Sequence, residues 1–509
     1  MEDSEVKTFY KDKNIFITGA TGFVGMAVVE KLLRTTDVGK IYLLIRPKKG
    51  KEASARLEEY IKNPVFKRLT EERGEGVYTK LHAVGGDVGQ DHLGMSPEDR
   101  EKLKPEVHVV IHSAATLDFE ADLKETVSIN LLGTKRVIEF CRELTNLQAL
   151  LHVSSAYVNS HLTSAEEKIY PVPESAEKVI EIASTVSDAD LEEVTNKLLG
   201  SYVNTYTFTK ALAEQEVVAS ISSFPSCIVR PSMIVGAWKE PIPGWTASKN
   251  GPQGFLMGAG KGVVRRLPAN PDLIADYIPV DVVVNGILVG AYHAATARPS
   301  ETPIFHLTSS THKPFRWNIL TPHMEEILEK YPLKSAAWYP TLKLLPSLFL
   351  FKLSAIFFHW IPAYILDTVT KVAGGRPILI RLHTNINKSL ARLEPFIFNE
   401  WLFDNKSLLK LNSTLKESDK ENFFLDIATI DWLDFFDNLA AGVKVYLQNE
   451  PLSNYEKARK KQKILKVLNN LLQVLVVVGV WSLVKVISGQ SYLMTSFVVP
   501  IIVTLYTIL

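Results

Sequence analysis

Two hydrophobic periods organise this chain. In its N-terminal half, short runs that are apolar at nearly every position recur: Ile15–Ile17, Ile41–Ile45 (IYLLI), Leu81–Val84, Val107–His112 (VHVVIH), Ala149–Val153 and Ser226–Arg230. A strand covered on both faces has this pattern. Between the runs lie stretches with helical spacing: Met26–Leu33 (MAVVEKLL), Leu123–Leu144, and the ALAEQEVVASI that follows Lys210. Strand and helix in alternation predict an α/β fold of Rossmann type, a doubly wound parallel sheet.

The pattern changes beyond residue 340. Leu342–Leu366 (LKLLPSLFLFKLSAIFFHWIPAYIL) is almost wholly apolar. It fits a transmembrane helix, an interfacial helix or the lining of an apolar tunnel. Pro346 and Pro362 would break a straight span and favour the last two. From Pro377 to Tyr446 the spacing is helical, and Phe396, Trp401, Phe403, Trp432, Phe435 and Phe436 read as its packed core. Lys457–Lys463 (KARKKQK) is strongly basic. Two apolar stretches follow, 464–487 and 492–509, the first interrupted by Asn469, Asn470, Gln473 and Lys485. Each approaches the ~20 residues a helix needs to cross a bilayer, and the basic run before them should stay on the cytoplasmic side. The expected division is a polar tail (1–12), a nucleotide-binding domain (13–340), an apolar segment (341–366), a smaller helical domain (367–450) and two candidate transmembrane helices.

Composition narrows the partners. Lysine plus arginine number 57 and aspartate plus glutamate 56, so there is no broad basic field for nucleic acid. Cys141 and Cys227 sit in apolar contexts and read as reduced core residues. No Cys/His spacing suits a metal. The polar, acidic start MEDSEVKTFYKDK is neither a signal nor a transit peptide, so membrane attachment is expected from the apolar C-terminal stretches.

The candidate chemistry begins at Lys13–Gly25, KNIFITGATGFVG. Strand, glycine turn and helix in this order cradle a dinucleotide. Gly19 permits the turn, Gly22 lets the pyrophosphate approach, and Gly25 lets the helix pack closely. Thr18, Thr21, Phe23 and Val24 complete the cradle, with phosphate at the helix N-terminus. The spacing is G-x-x-G-x-x-G rather than G-x-G-x-x-G. About 20 residues on, where an NAD site carries an acid, stand Arg46, Lys48 and Lys49; guanidinium and ammonium there match a 2′-phosphate and favour NADPH. Asp87 and Val88, after the third strand, are placed to meet adenine. Ala114 and Ala115, after the fourth, leave room for the second ribose. Ser154 and Ser155 close the fifth strand. Tyr206 and Lys210, at i and i+4, share a helix face. A phenol of pKa about 10 is a weak acid at neutral pH; a nearby ammonium and the oxidised nicotinamide favour its ionised form, and a serine hydroxyl can hold a substrate carbonyl oxygen.

This ordered set of glycine turn, strand-end serine and Y-x-x-x-K resembles the extended short-chain dehydrogenase/reductase superfamily. RPSMIVGAWKEPIPGW (Arg230–Trp245), GPQGFLMGAGKG (Gly251–Gly262), DYIPVDVVVN (Asp276–Asn285) and HVSSAYVN (His152–Asn159) are similar to the alcohol-forming fatty acyl-CoA reductases of animals, insects in particular. The usual serine-threonine of the last block is serine-serine here. The resemblance implies NADPH-dependent reduction of long-chain fatty acyl-CoA, through an aldehyde, to a primary alcohol with release of CoA. It assigns Tyr206 as proton donor, Ser155 (Ser154 as runner-up) as second oxyanion donor, and Lys210 as the residue that tunes Tyr206 and holds the nicotinamide ribose. Lys261, Arg265 and Arg266 could meet CoA phosphates. It also implies a bilayer partner, a catalytic domain facing the cytosol, and the endoplasmic reticulum, with the peroxisome as alternative; TIL at the end is no peroxisomal address. A membrane sterol dehydrogenase/isomerase of the same fold and a catalytically retired nucleotide-binding scaffold are the competing readings.

Overall fold

The computed structural model describes residues 3–48, 50–119 and 121–508, in two units. The first is Met1–Ala247, Ile274–Phe315 and Glu400–Asp431; the second is Ser248–Leu273, Arg316–Asn399 and Trp432–Leu509.

In the first unit, β1 (Ile15–Thr18), β2 (Ile41–Ile45), β3 (Leu81–Gly85), β4 (Val109–His112), β5 (Ala149–Val153), β6 (Ser226–Pro231) and β7 (Ile304–Leu307) form one sheet in the order β3-β2-β1-β4-β5-β6-β7. Every neighbouring pair is parallel. The order turns back between β1 and β4, where an open α/β sheet collects its ligands at the strand ends. Six of the strands are those expected. The seventh, IFHL, is short and carries a histidine, so its apolar run is too brief to read. Four helices matter for the site: α1 (Phe23–Thr35), α2 (Leu132–Glu143), α3 (Thr205–Ala219) and α4 (Val280–Ala297). One core joins Phe16, Val110, Leu150 and Ile228 of the sheet to Val137, Phe140 and Cys141 of α2 and Val217 of α3. On α4, a Cβ at Gly290 would lie 3.1 Å from both Cys227 Sγ and Leu151 Cδ1, so this helix packs tightly on the sheet. It is long and apolar enough to cross a membrane, yet 72% of it is buried here. Both cysteines are free and buried.

Two boundaries differ from the expected ones. The segment expected as a tail holds a helix, Glu5–Tyr10; Asp419 accepts from the Glu5 and Val6 amides at 3.1 and 3.2 Å, and the Tyr10 hydroxyl donates to Leu288 O at 2.8 Å. Val6 and Tyr10, at i and i+4, are its buried side; acidic composition hides so short an apolar face. The stretch expected within the helical domain lends Glu400–Asp431 to the first unit. Leu402–Phe403 pairs with Ser164–Ala165, and Trp401 Nε1 donates to Ser160 O at 3.0 Å.

The second unit contains α5 (Leu348–Ala355), a π turn (Ile356–Trp360), α6 (Ile361–Val372), α7 (Leu379–Ile397), α8 (Tyr455–Ser488) and α9 (Val498–Ile508). The α5 side chains of Phe351 and Ala355 pack with Val264, Leu267, Leu345 and Leu390. The first turns of α8 are docked: Gln462 Nε2 donates to Leu328 O at 3.0 Å, and Trp338 Nε1 to Asn469 Oδ1 at 2.9 Å. Asn469, a polar interruption of the expected span, is thereby accounted for. From Asn470 onward α8 exposes Leu471, Val474, Leu475, Val478 and Leu483, a free length of about 28 Å at ~1.5 Å per residue. The helix within 492–509 has only 11 residues, roughly 16 Å. It folds back on α8, with Trp481 Nε1 donating to Thr495 Oγ1 at 3.0 Å and Gln473 Nε2 to the Tyr506 hydroxyl at 2.5 Å. These four polar side chains of the apolar hairpin are thus satisfied inside it.

Candidate active site

The glycine turn lies between β1 and α1, as the order of the sequence predicts. Gly19 has φ +72°, and a Cβ there would stand 2.7 Å from Ala114 N. A Cβ at Gly25 would meet Gly19 O at 2.4 Å and Ala20 Cα at 2.6 Å, so Gly25 is small to let the helix close on the turn itself. Gly22 caps α1 without a side chain, and a Cβ there would meet Gly19 O alone, at 3.2 Å. Its other side is open. The helix begins at Phe23, three residues earlier than the apolar pattern indicates, which leaves the amides of Phe23, Val24 and Gly25 as its free donors. Thr21 is exposed beside them. This uncapped, side-chain-free cradle fits a pyrophosphate.

At the neighbouring strand ends, Arg46 lies 3.7 Å from Asp87 and is 62% exposed, so its guanidinium is accessible. Lys49 lies outside the described residues. Asp87 Oδ1 accepts from the Gly89 amide at 2.9 Å. Val88 turns its side chain into the core, which leaves only its backbone for a ligand. Ala114 N donates to Thr18 Oγ1 at 3.2 Å, and Ala114 and Ala115 are partly exposed.

Ser155, Tyr206 and Lys210 are all buried. Asn204 caps α3 by accepting from the Thr207 amide at 2.9 Å, which sets Tyr206 in the first turn. The Tyr206 phenol has Ser155 beside it, a neighbour that favours its ionised form, and its ring packs on Phe119 at 5.5 Å. Ser155 also accepts from the Tyr157 amide at 3.2 Å. The Ser154 hydroxyl, by contrast, is buried without a partner, so the structure brings Ser155 rather than Ser154 to the phenol. Burial pushes the Tyr206 pKa up to about 12, against the pull of Ser155. Lys210 Nζ donates to Val153 O at 2.7 Å and meets His152 Nε2 at 3.0 Å. Burial brings its pKa down to about 8, while the Glu214 carboxylate one turn on raises it. Glu214 is itself held by buried Arg230 at 2.6 Å.

A polar seam missed in the sequence runs under these groups. Thr18, His112 and His152 face one another in register across β1, β4 and β5. Thr134 donates to Asn130 O at 2.7 Å and so accepts from His112 Nε2 at 3.1 Å. His112 Nδ1 then accepts from Thr18 at 2.7 Å. The two imidazoles stand 5.1 Å apart. Burial first, then the Lys210 charge, brings the His112 pKa down to about 3 and drives that of His152 far below its usual value. Both rings are neutral. His152 Nε2 therefore accepts from Lys210, and its Nδ1 proton has no partner. The available signal was a histidine at the same level of two adjacent buried strands.

Arg265 and Arg266 belong to the second unit. Their amides donate to His359 Nε2 at 3.1 and 3.2 Å, and the Arg266 guanidinium lies 3.8 Å over the Phe358 ring.

Two family profiles, both described as male sterility protein, match residues 17–287 and 358–450. A Drosophila melanogaster protein named "Putative fatty acyl-CoA reductase CG8306" is 54% identical over 516 residues, covering 100% of both chains. "Fatty acyl-CoA reductase 1" of Gallus gallus is 33% identical over 477 residues, 94% of this chain and 92% of its own. Among solved structures, the terminal R domain from the myxalamid PKS-NRPS biosynthetic pathway shares the fold with a TM-score of 0.56 at 19% identity, over 87% of this chain and 95% of that one.

Proposed function

The chain belongs to the fatty acyl-CoA reductase family, and on that premise we propose that it reduces long-chain fatty acyl-CoA to the primary alcohol with NADPH, using Tyr206, Ser155 and Lys210. The observation that carries the assignment is the buried Tyr206–Ser155 pair at the end of β5, with Lys210 one turn further along α3. The cradle of Gly19, Gly22 and Gly25 would hold the pyrophosphate, with Arg46 at the 2′-phosphate. When bound, NADPH supplies the two hydrides of the reaction. Tyr206 and Ser155 are the two donors that grip the carbonyl oxygen of the thioester, and stabilise negative charge there as it develops. With its pKa near 12, Tyr206 keeps its proton throughout the neutral range and gives it to the alkoxide when aldehyde becomes alcohol. Ammonium carries three donors. Lys210 commits two to Val153 and His152, leaving one for the nicotinamide ribose.

Anchoring follows from the apolar C-terminal hairpin, preceded by Lys457–Lys463. The positive-inside rule keeps that run, and with it the catalytic unit, in the cytosol, where NADPH and acyl-CoA meet it. The endoplasmic reticulum is the proposed membrane. The purified chain in detergent, given NADPH and palmitoyl-CoA, should release free thiol and form alcohol detectable by mass spectrometry. A failure to release thiol with any long-chain acyl-CoA overturns the proposal. Tyr206→Phe should cut alcohol formation on the order of 100-fold or more with NADPH binding retained; undiminished output would remove Tyr206 as proton donor.

A further inference from the structure

The helix that runs unbroken from Leu348 to Val372 turns its apolar side outward. It has 25 residues and is apolar enough to cross a membrane, yet only 28% of its apolar stretch is buried. Phe351, Ala355, His359, Ala363 and Asp367 face inward. Phe349, Phe357, Ile365, Val369 and Val372 stand outside, from 53% to 85% exposed. A helix covering a water-soluble domain has the opposite arrangement, with charge on the outer side. Asp367 is its single acid. That carboxylate is 6% exposed and accepts from the amides of Ile378 and Leu379 at 3.0 Å and of Ile380 at 2.8 Å. What remains outside is largely apolar surface, with the exposed cations Lys352 and Lys371 on the same helix and Arg376 and Arg381 in the loop and helix that follow it.

We propose that this face is a second membrane-contact surface, seated in the headgroup–acyl boundary of an anionic leaflet beside the C-terminal hairpin. The inference rests on the membrane reading of that hairpin and on the same unit. Two contacts make the surfaces continuous: the Phe358 ring packs on Tyr506 of α9 at 5.3 Å, and Lys343 Nζ donates to Ile508 O at 2.8 Å. A helix with one docked side and one largely apolar side that carries cations lies along an interface, and its cations meet acidic lipid. A second copy of the chain would set those cations against one another.

The two native thiols are buried, so single cysteines can be labelled selectively in the full-length chain. Phe357→Cys, Ile365→Cys and Val369→Cys, with exposed Glu192→Cys of the first unit as reference, would carry an environment-sensitive dye in vesicles of phosphatidylcholine and phosphatidylserine. The expected result is blue-shifted emission at the three helix positions, with quenching several-fold stronger than at residue 192 and stronger from nitroxide on shallow acyl carbons than on deep ones. Water-like emission at all three overturns the proposal. So does strongest quenching by the deep nitroxide, which would mean that the helix crosses the bilayer. Energy transfer between copies without lipid quenching would assign the face to a second copy and overturn it equally. The readout needs neither NADPH nor acyl-CoA, so a failed reductase assay and a failed membrane contact remain distinguishable.

Discussion

On the proposed assignment, Lys210 sets the range over which the site works. Its ammonium is desolvated, and burial holds its pKa near 8; it is charged below that pH and neutral above. Tyr206, near 12, keeps its proton across the same range. The turnover number should therefore fall as pH rises through about 8, and the group responsible is the lysine, not the tyrosine. Lys210→Arg keeps a positive charge to higher pH and should lift this basic limb by more than one unit, at a lower rate, because a planar fork cannot satisfy the two acceptors at once. His152 is a positioning residue in this account. It accepts from Lys210 at 3.0 Å, so His152→Phe strands the ammonium and should move the limb to lower pH. His152→Gln restores an acceptor and should bring it back. A limb that stays fixed in all three variants would detach Lys210 and His152 from catalysis, and pH–rate profiles at saturating acyl-CoA decide it.

At the level of elements, what was legible was what burial on both faces writes into sequence. β1 to β6 are apolar runs because helices cover the sheet on both sides, and the turn between β1 and α1 is readable because only glycine fits it. The start of α1 was not, since a glycine cap leaves no side-chain signature. Nor was the return of residues 400–431 to the first unit: two-residue strands pair through backbone, at Leu402–Phe403 and Ser164–Ala165, and leave no periodicity. The Thr18–His112–His152 seam was hidden because histidine in a strand reads as an interruption until register aligns it with its neighbours. The glycines separate folding from binding. Gly25→Ala drives a Cβ to 2.4 Å from Gly19 O, a backbone atom that can yield only by unseating the turn, so both stability and binding should suffer. Gly22→Ala meets a single atom at 3.2 Å and projects into the open cradle. Its melting temperature should stay within a few degrees of the parent (roughly 1 kcal/mol or less), while its Kd for NADPH rises tenfold or more. Calorimetric titration that finds unchanged affinity in Gly22→Ala would place the pyrophosphate elsewhere.

The whole molecule inherits a pH dependence from histidines that the fold keeps neutral. In the first unit His112 and His306 are each brought down to about 3 by burial, and His152 is driven well below its usual value. An unfolded histidine titrates near 6.5. Between these values the unfolded chain binds protons that the folded chain does not, so stability falls as pH drops below about 6.5. One such histidine costs about 2 kcal/mol at pH 5. Glu30, Glu167 and Asp281, raised by burial, act in the opposite sense, because their protonated forms are the ones the fold prefers. The wild-type slope is thus a sum of both signs, and a variant isolates the histidine part. In His112→Asn the amide can still bond Thr18 and Thr134 but takes up no proton on unfolding. The melting temperature of this variant should start lower at pH 7.5 and decline less between pH 7 and pH 5 than that of the parent. Parallel curves for the two proteins would show that His112 is not neutral in the folded chain. The tautomer assignment that sets His112 between Thr18 and Thr134 would then fall with it.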